Sequence, residues 1–172
     1  AGGSAMTMYE NGELEAVPVG LTDIERVTDP TNPLNKELTI VPTMSTFYLG
    51  FNVNQPPFDD VKVRQAFAHA IDRDAIVNGP LQYQSAAAYT MNPPGFPGES
   101  VEALKGIQNY DPELAAQLLE EAGYPGGEGF PALTMYMRDP FPALTNAGEA
   151  VASMIKNNLG IDVEIQSLDY SM

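Results

Sequence analysis

A strand–helix–strand pattern in the last third of the chain constrains the fold most. Apolar side chains occupy alternate positions in LTMYM, residues 133–137, and again in IDVEIQ, residues 161–166. Between these segments lies an apolar stripe at helical spacing: Val151, Met154, Ile155 and Leu159. Two strands joined by a packed helix predict a right-handed crossover with parallel strands, and therefore an α/β fold.

The segment PPFDDVKVRQAFAHAIDRDAIVNG, residues 56–79, predicts two further helices. Asp60 is placed to cap the first helix, Asp72 can start the second, and Gly79 can end it. The apolar stripe of this segment comprises Val63, Ala66, Phe67, Ala70 and Ile71. His69 falls on the face opposite the stripe, so we expect a solvent-exposed histidine.

Other segments predict one more capped helix, a short helix and two strands. Asp111 as N-cap, Pro112 at the first helical position and Gly123 at the end delimit a helix in YDPELAAQLLEEAGYP. The segment LTDIERV predicts a short helix, and ELEAVPVG a short strand. The segment TFYLGFNVN predicts a half-buried strand whose buried face comprises Phe47, Leu49, Phe51 and Val53.

Charge and cysteine content exclude several classes of function. The chain has 23 Asp and Glu against 8 Lys and Arg, with a net charge of −15, so binding to nucleic acid or to anionic membranes is disfavoured. The absence of cysteine removes thiol nucleophiles, zinc–thiolate sites and disulfides. No run approaches the roughly 18 apolar residues of a membrane-spanning helix.

The search for catalytic and metal-binding residues predicts neither an enzyme nor a resident metal or cofactor. His69 is the only histidine, and the sequence contains no GxSxG motif. Asp72 and Asp74 are spaced as in a calcium loop, but Ile76 occupies the next ligand position. A hydrolase that uses His69 with a nearby acid or serine is kept as the alternative from a different functional class.

Loop residues are the better candidates for ligand binding. Tyr89, Phe96, Arg138 and Phe141 lie in predicted loops, and MRDPFPALTN follows the C-terminal end of a predicted parallel strand. Ligands of open α/β sheets gather at that edge, and an arginine there could hold a carboxylate. A surface loop with a solvated arginine explains the same pattern.

Taken in order, several motifs resemble the family 5 extracellular solute-binding proteins, the oligopeptide- and dipeptide-binding components of bacterial ABC importers. They are FYLGFNVNQPPFDDVKVRQAFAHAIDRDAIV, PPGFPG, YDPELAAQLLEEAGYP, FPALTMYM and AVASMIKNNLGIDVEIQSLDYSM. The resemblance implies a non-catalytic protein that captures a solute between two α/β lobes and delivers it to the permease. Peptides are the expected ligands, with nickel complexes, haem, opines or oligosaccharides as alternatives.

The resemblance also implies a partial lobe of a two-lobed periplasmic-binding-protein-like fold, with a mixed sheet, packed helices and a βαβ unit near the C-terminus. Residues 1–44 correspond to the tail of the first lobe and the hinge approach, and residues 45–172 to an incomplete second lobe. The implied location is periplasmic or extracellular, with a lipid anchor on the full-length protein as one form. Apolar surface left bare in such a fragment would favour self-association.

Two stretches match ligand-contacting positions of the family. The first lies near the hinge, and the second is the loop 138–145. The implied ligand-binding residues are Thr43, Ser45, Thr46, Arg138, Asp139 and Phe141.

Overall fold

The computed structural model describes residues 4–41, 45–81, 85–93, 96–98, 100–138 and 142–168. The chain divides into two compact units, Ala1–Pro42 and Thr43–Met172. Among the described residues, no helix is long and apolar enough to cross a bilayer.

The first unit contains helices α1 (Ala5–Glu10) and α2 (Leu21–Thr28), followed by a 3-10 turn at Pro33–Lys36. An ion pair between Arg26 and Glu10 joins the two helices. The expected helix in LTDIERV is confirmed as α2.

The strand expected in ELEAVPVG is wrong, because residues 13–20 are irregular. A strand is stable only when it pairs with a neighbour, and the described part of this unit offers no partner strand.

The second unit contains five helices and two strands among its described residues. The helices are α3 (Val61–His69), α4 (Arg73–Asn78), α5 (Val101–Leu104), α6 (Pro112–Glu121) and α7 (Pro142–Leu159). The strands are β1 (Leu133–Arg138) and β2 (Val163–Leu168), and 3-10 turns occur at Lys105–Ile107 and Pro125–Gly127.

The predicted parallel crossover is confirmed. Strands β1 and β2 pair in parallel, with Leu133 opposite Val163 and Arg138 opposite Leu168, and α7 connects them. Helix α7 packs on both strands, so the sheet and its crossover helix form one layered unit.

The core lies where α3, α6 and α7 meet. Phe67, Leu119, Leu159 and Val63 are the largest fully buried side chains. The predicted stripes supply most of the core, which comprises Val63, Ala66, Phe67, Ala70, Ile71, Ile76, Ala115, Leu119, Val151, Ile155, Leu159 and Ile161.

Aspartates start three of these helices, as the sequence predicts. The side chains of Asp60, Asp72 and Asp111 accept hydrogen bonds from backbone N–H groups of α3, α4 and α6 at 2.7, 2.9 and 3.0 Å. Gly79 caps the end of α4, and Gly123 follows α6 with a φ of 93°.

The half-buried strand expected in TFYLGFNVN is wrong. Residues 46–52 are irregular, and the side chains of Phe47, Leu49 and Val53 are exposed, whereas Phe51 packs against the core. Alternating apolar residues form a strand only when a neighbouring strand supplies the hydrogen bonds. Among the described residues, β1 and β2 pair only with each other, so residues 46–54 have no partner strand there.

Candidate functional site

Thr46 is one of the predicted binding residues, and the structure describes a hydrogen bond of its side chain. Its hydroxyl donates a hydrogen bond of 3.1 Å to the carbonyl oxygen of Met91. A carbonyl oxygen can only accept, so this contact uses the single proton of the hydroxyl. The lone pairs of Thr46 Oγ1 remain, so the hydroxyl can accept a hydrogen bond from a ligand while it donates to Met91.

Exposed apolar side chains border Thr46. Phe47 and Tyr48 follow it in the chain and are each 69% exposed, and the Met91 side chain is 63% exposed. Large aromatic and methionine side chains beside a polar group are typical of surfaces that bind small ligands. The alternating pattern had placed Phe47 in the core, so sequence reasoning missed this surface, and no sequence signal singled out Met91.

The second group of predicted residues follows β1. Arg138 ends β1 at the edge where both parallel strands reach their C-terminal ends, and α7 begins at Pro142. Its backbone therefore lies where the sequence analysis expects it, while its side chain lies outside the described part of the structure. Thr43, Asp139 and Phe141 lie outside the described residues as well.

The two predicted groups lie in different segments of the second unit. Ser45 is exposed and precedes Thr46, whose hydroxyl is hydrogen-bonded to Met91. The backbone of Arg138 pairs with β2 instead. Thr46 and Arg138 are thus two separate candidate positions in the same compact unit.

Tyr89, predicted as a loop-borne binding residue, is buried. It is 7% exposed, and its hydroxyl donates a hydrogen bond of 3.0 Å to Asp74 Oδ2. Burial raises the pKa of the Tyr89 hydroxyl, and the hydrogen bond to Asp74 and the charge of that carboxylate raise it further. The ring is therefore an internal anchor of its loop and leaves no face for a ligand.

The expectation of a solvent-exposed His69 is wrong. The side chain is 5% exposed, and its Nδ1 lies 2.7 Å from the carbonyl oxygen of Asn109. Since a carbonyl only accepts, Nδ1 carries the proton. The helix-face argument failed because residues 109–111 cover this face of α3, as the hydrogen bond from Asp111 N to His69 O also records.

Arg64 has a structural role at the start of α3. Its guanidinium donates to the carbonyl oxygens of Phe58 and Asp59 at 2.7 and 3.0 Å, and so fixes the turn that precedes α3.

A small groove opens at the opposite end of β1 from Arg138. Its volume is about 180 Å³, and its walls are Asn52, Gln55, Pro56, Pro57, Phe58, Phe130, Pro131, Ala132 and Leu133. Ligand cavities are usually about 300–1,000 Å³ and lie at the C-terminal edge of parallel strands. We therefore assign it no ligand. Across the described residues, no group of three or more acidic or histidine side chains could hold a metal ion.

Comparisons with known proteins identify the family. The model of the bacterial extracellular solute-binding proteins, family 5 Middle, matches residues 2–171. The periplasmic oligopeptide-binding protein OppA of Salmonella typhimurium is 30% identical over 165 residues, which cover 94% of this chain and 30% of that protein. Heme-binding protein A of Haemophilus influenzae is 44% identical over 86 residues, which cover 49% of this chain and 15% of that protein.

A solved structure extends the likeness to the fold. The murein tripeptide binding protein MppA of Escherichia coli superposes with a TM-score of 0.68 at 26% identity, covering 97% of this chain and 33% of that one. The chain thus spans about a third or less of the length of these relatives. With its family match extending over nearly all of its residues, the chain belongs to the bacterial extracellular solute-binding proteins of family 5.

Proposed function

We propose that this chain is part of a protein that captures peptides outside the cytoplasmic membrane and delivers them to an ABC permease. The observation that carries the proposal is the family match over residues 2–171, together with relatives that are named for oligopeptide and murein tripeptide binding. The protein is periplasmic or extracellular in this proposal, and a lipid anchor is one means of retaining it at the membrane.

In this proposal residues 45–172 form part of the second lobe, and residues 1–44 form the tail of the first lobe and the approach to the hinge. The chain covers 33% of the MppA structure, which fits a part of a larger protein, and it divides into two compact units between Pro42 and Thr43. The binding cleft lies between two lobes, so a ligand would meet only some of its contacts on this chain.

The residues proposed to line the cleft are those named from the family resemblance: Thr43, Ser45, Thr46, Arg138, Asp139 and Phe141. Thr46 would accept a hydrogen bond from a ligand N–H group, because its proton is already donated to Met91. A peptide offers such donors along its backbone and at its amino terminus. Arg138 would hold a carboxylate, a contact for which the guanidinium fork is well shaped.

The proposed role is binding without catalysis. His69, on which the alternative hydrolase depends, is buried and its Nδ1 is engaged by the Asn109 carbonyl. A general base must reach the proton that it abstracts, and this geometry favours a structural role for His69.

The proposal is tested by screening a peptide library against the full-length protein in a thermal-shift assay. A ligand at about 100 times its Kd stabilises the folded state by about 2.7 kcal/mol, which raises the melting temperature measurably. Thr46→Val, which keeps the side-chain shape and removes the hydroxyl, should weaken binding of the best peptide. If no peptide raises the melting temperature, the peptide assignment is wrong.

Non-peptide ligands are the second candidate. The observation that favours them is the 44% identity to Heme-binding protein A over 86 residues. The same screen should include haem, a nickel complex, an opine and an oligosaccharide. A shift with one of these and none with peptides would reassign the ligand and leave the transport role intact.

We also propose that the 172-residue chain alone binds peptides weakly or not at all, because half of a cleft supplies half of the contacts and cannot bury the ligand. Its exposed apolar side chains favour self-association instead. Calorimetry that gave micromolar or tighter peptide binding to this chain would contradict the proposal.

A further inference from the structure

A half-buried arginine, Arg73, organises the polar contacts behind the loop that carries Met91. The Arg73 guanidinium donates to the backbone oxygen of Gln108 at 2.7 Å and to its side-chain oxygen at 3.0 Å. It also donates to the carbonyl oxygens of Ala68 and Ile71 at 3.2 and 3.4 Å. Arg73 thereby fixes the orientation of the Gln108 amide relative to the junction between α3 and α4.

The side-chain amide of Gln108 also contacts the loop that carries Met91. With its oxygen facing Arg73, its nitrogen donates a hydrogen bond of 3.1 Å to the backbone oxygen of Tyr89. The Tyr89 side chain is held as well, because its hydroxyl donates to Asp74 and its ring lies 5.5 Å from the Arg73 guanidinium carbon. Both the backbone and the side chain of Tyr89 are therefore fixed.

Met91 lies two residues beyond this anchor, and its carbonyl oxygen accepts the hydroxyl proton of Thr46. A continuous series of contacts thus runs from Arg73 through Gln108 and Tyr89 to Thr46. We propose that Arg73, Gln108 and Tyr89 are positioning residues that hold the Met91 carbonyl, and through it orient Thr46 as a hydrogen-bond acceptor for the ligand. The functional part of this inference rests on the proposed place of Thr46 in the binding cleft.

The side-chain amide of Gln108 links Arg73 to Tyr89, because it accepts a hydrogen bond from the first and donates one to the second. Gln108→Glu keeps an acceptor for Arg73 and removes the donor to Tyr89, so it cuts the series at a single bond. Gln65→Glu is the matched control, since Gln65 is exposed on α3 and the charge change is the same.

The test is the backbone amide chemical shifts of the perdeuterated full-length protein, recorded by NMR. We expect Gln108→Glu to shift the amide resonances both of residues 89–92 and of residues 46–50, while Gln65→Glu leaves both sets unchanged. Shifts confined to residues 89–92 would overturn the inference, because the effect would then be local to the loop.

A double-mutant comparison tests the path through Met91. Thr46→Val should shift the amide resonances of residues 46–50, and the variant that combines it with Gln108→Glu should shift them no further. Additive effects would contradict the inference. If Gln108→Glu prevents folding, Tyr89→Phe replaces it, since it removes the hydrogen bond to Asp74 and keeps the ring, and the same two segments are read.

The peptide affinity of the full-length protein separates this inference from the proposed function. If Thr46→Val and Gln108→Glu both weaken peptide binding, while Thr46→Ser retains it, the positioning role is supported. If the amide shifts show the coupling but neither variant changes affinity, Thr46 is not a cleft residue and the functional part of the inference is wrong. Absence of any peptide binding by the unaltered protein would instead count against the proposed function.

Discussion

At the scale of single residues, Phe67 and Phe47 have the same side chain in opposite environments. Phe67 is 1% exposed, and its ring lies 5.2–5.8 Å from the rings of Phe51, Phe58 and Phe130, whereas Phe47 is 69% exposed. We expect Phe67→Ala to lower the free energy of unfolding by about 3–5 kcal/mol and Phe47→Ala to change it by about 0.5 kcal/mol or less. Urea unfolding followed by circular dichroism measures both, and equal losses would contradict the assigned burial.

Gly160 and Gly148 offer a second contrast at the residue scale. Gly160 has a φ of 74°, and a Cβ there would overlap the backbone oxygen of Gly126. A Cβ on Gly148 would meet the end of the flexible Met137 side chain instead. Gly160→Ala should therefore lower the free energy of unfolding by about 2 kcal/mol or more.

Gly148→Ala should change the free energy of unfolding by about 1 kcal/mol or less, because Met137 can move and alanine favours the helix. Thermal unfolding of both variants tests the pair. A larger loss for Gly148→Ala than for Gly160→Ala would show that the close backbone approach at Gly126 is not the limiting constraint.

At the scale of elements, the helix starts depend on aspartate caps. Asp111 accepts a hydrogen bond of 3.0 Å from Leu114 N, and Pro112 follows it at the first position of α6. Asp111→Ala should lower the free energy of unfolding by about 1 kcal/mol, and Asp111→Asn by less, because asparagine is also a good N-cap. Chemical unfolding distinguishes the two, and equal losses would indicate that the charge rather than the cap stabilises α6.

An element was predictable from the sequence when the residues that determine it lie close together along the chain. Helices α3, α4 and α6 could be predicted because their caps and apolar stripes lie within a few residues of one another. The parallel crossover could be predicted because α7 separates two alternating segments. Residues 13–20 and 46–54 also carry strand patterns, but a strand depends on a partner elsewhere in the chain, and alternation does not reveal whether that partner exists.

The candidate site was predictable only in part, for a related reason. The backbone of Arg138 lies at the strand edge that the crossover implies. Contacts such as those between Thr46 and Met91, or between His69 and Asn109, join residues more than about 35 positions apart. Spacing along the sequence does not encode such pairs, so the burial of His69 and Tyr89 was not foreseen.

At the scale of the whole molecule, the net charge of −15 opposes the compact state by self-repulsion. Added salt screens charges separated by more than about 10 Å at 0.1 M. We expect the melting temperature of the chain to rise between low and moderate NaCl concentration, as followed by circular dichroism. A melting temperature that is constant or falls with salt would contradict this expectation.

The matched variant for the salt experiment neutralises three exposed acids, Glu120, Glu128 and Glu149, by substitution with glutamine. Its melting temperature should rise at low salt and depend less on NaCl than that of the unaltered chain. An unchanged salt dependence would mean that specific ion binding, rather than screening of the overall charge, causes the stabilisation.

The parallel pairing of β1 and β2 also has a consequence for the order of folding. Leu133 and Val163 are neighbours in the sheet although 18 residues of α7, among others, separate them along the chain. The entropy of closing that loop must be lost before the strands gain any contact, whereas helices α3 and α6 can form from near neighbours. We therefore expect the sheet to form after the individual helices, and the rate of refolding to respond to substitutions that alter the helical propensity of α7.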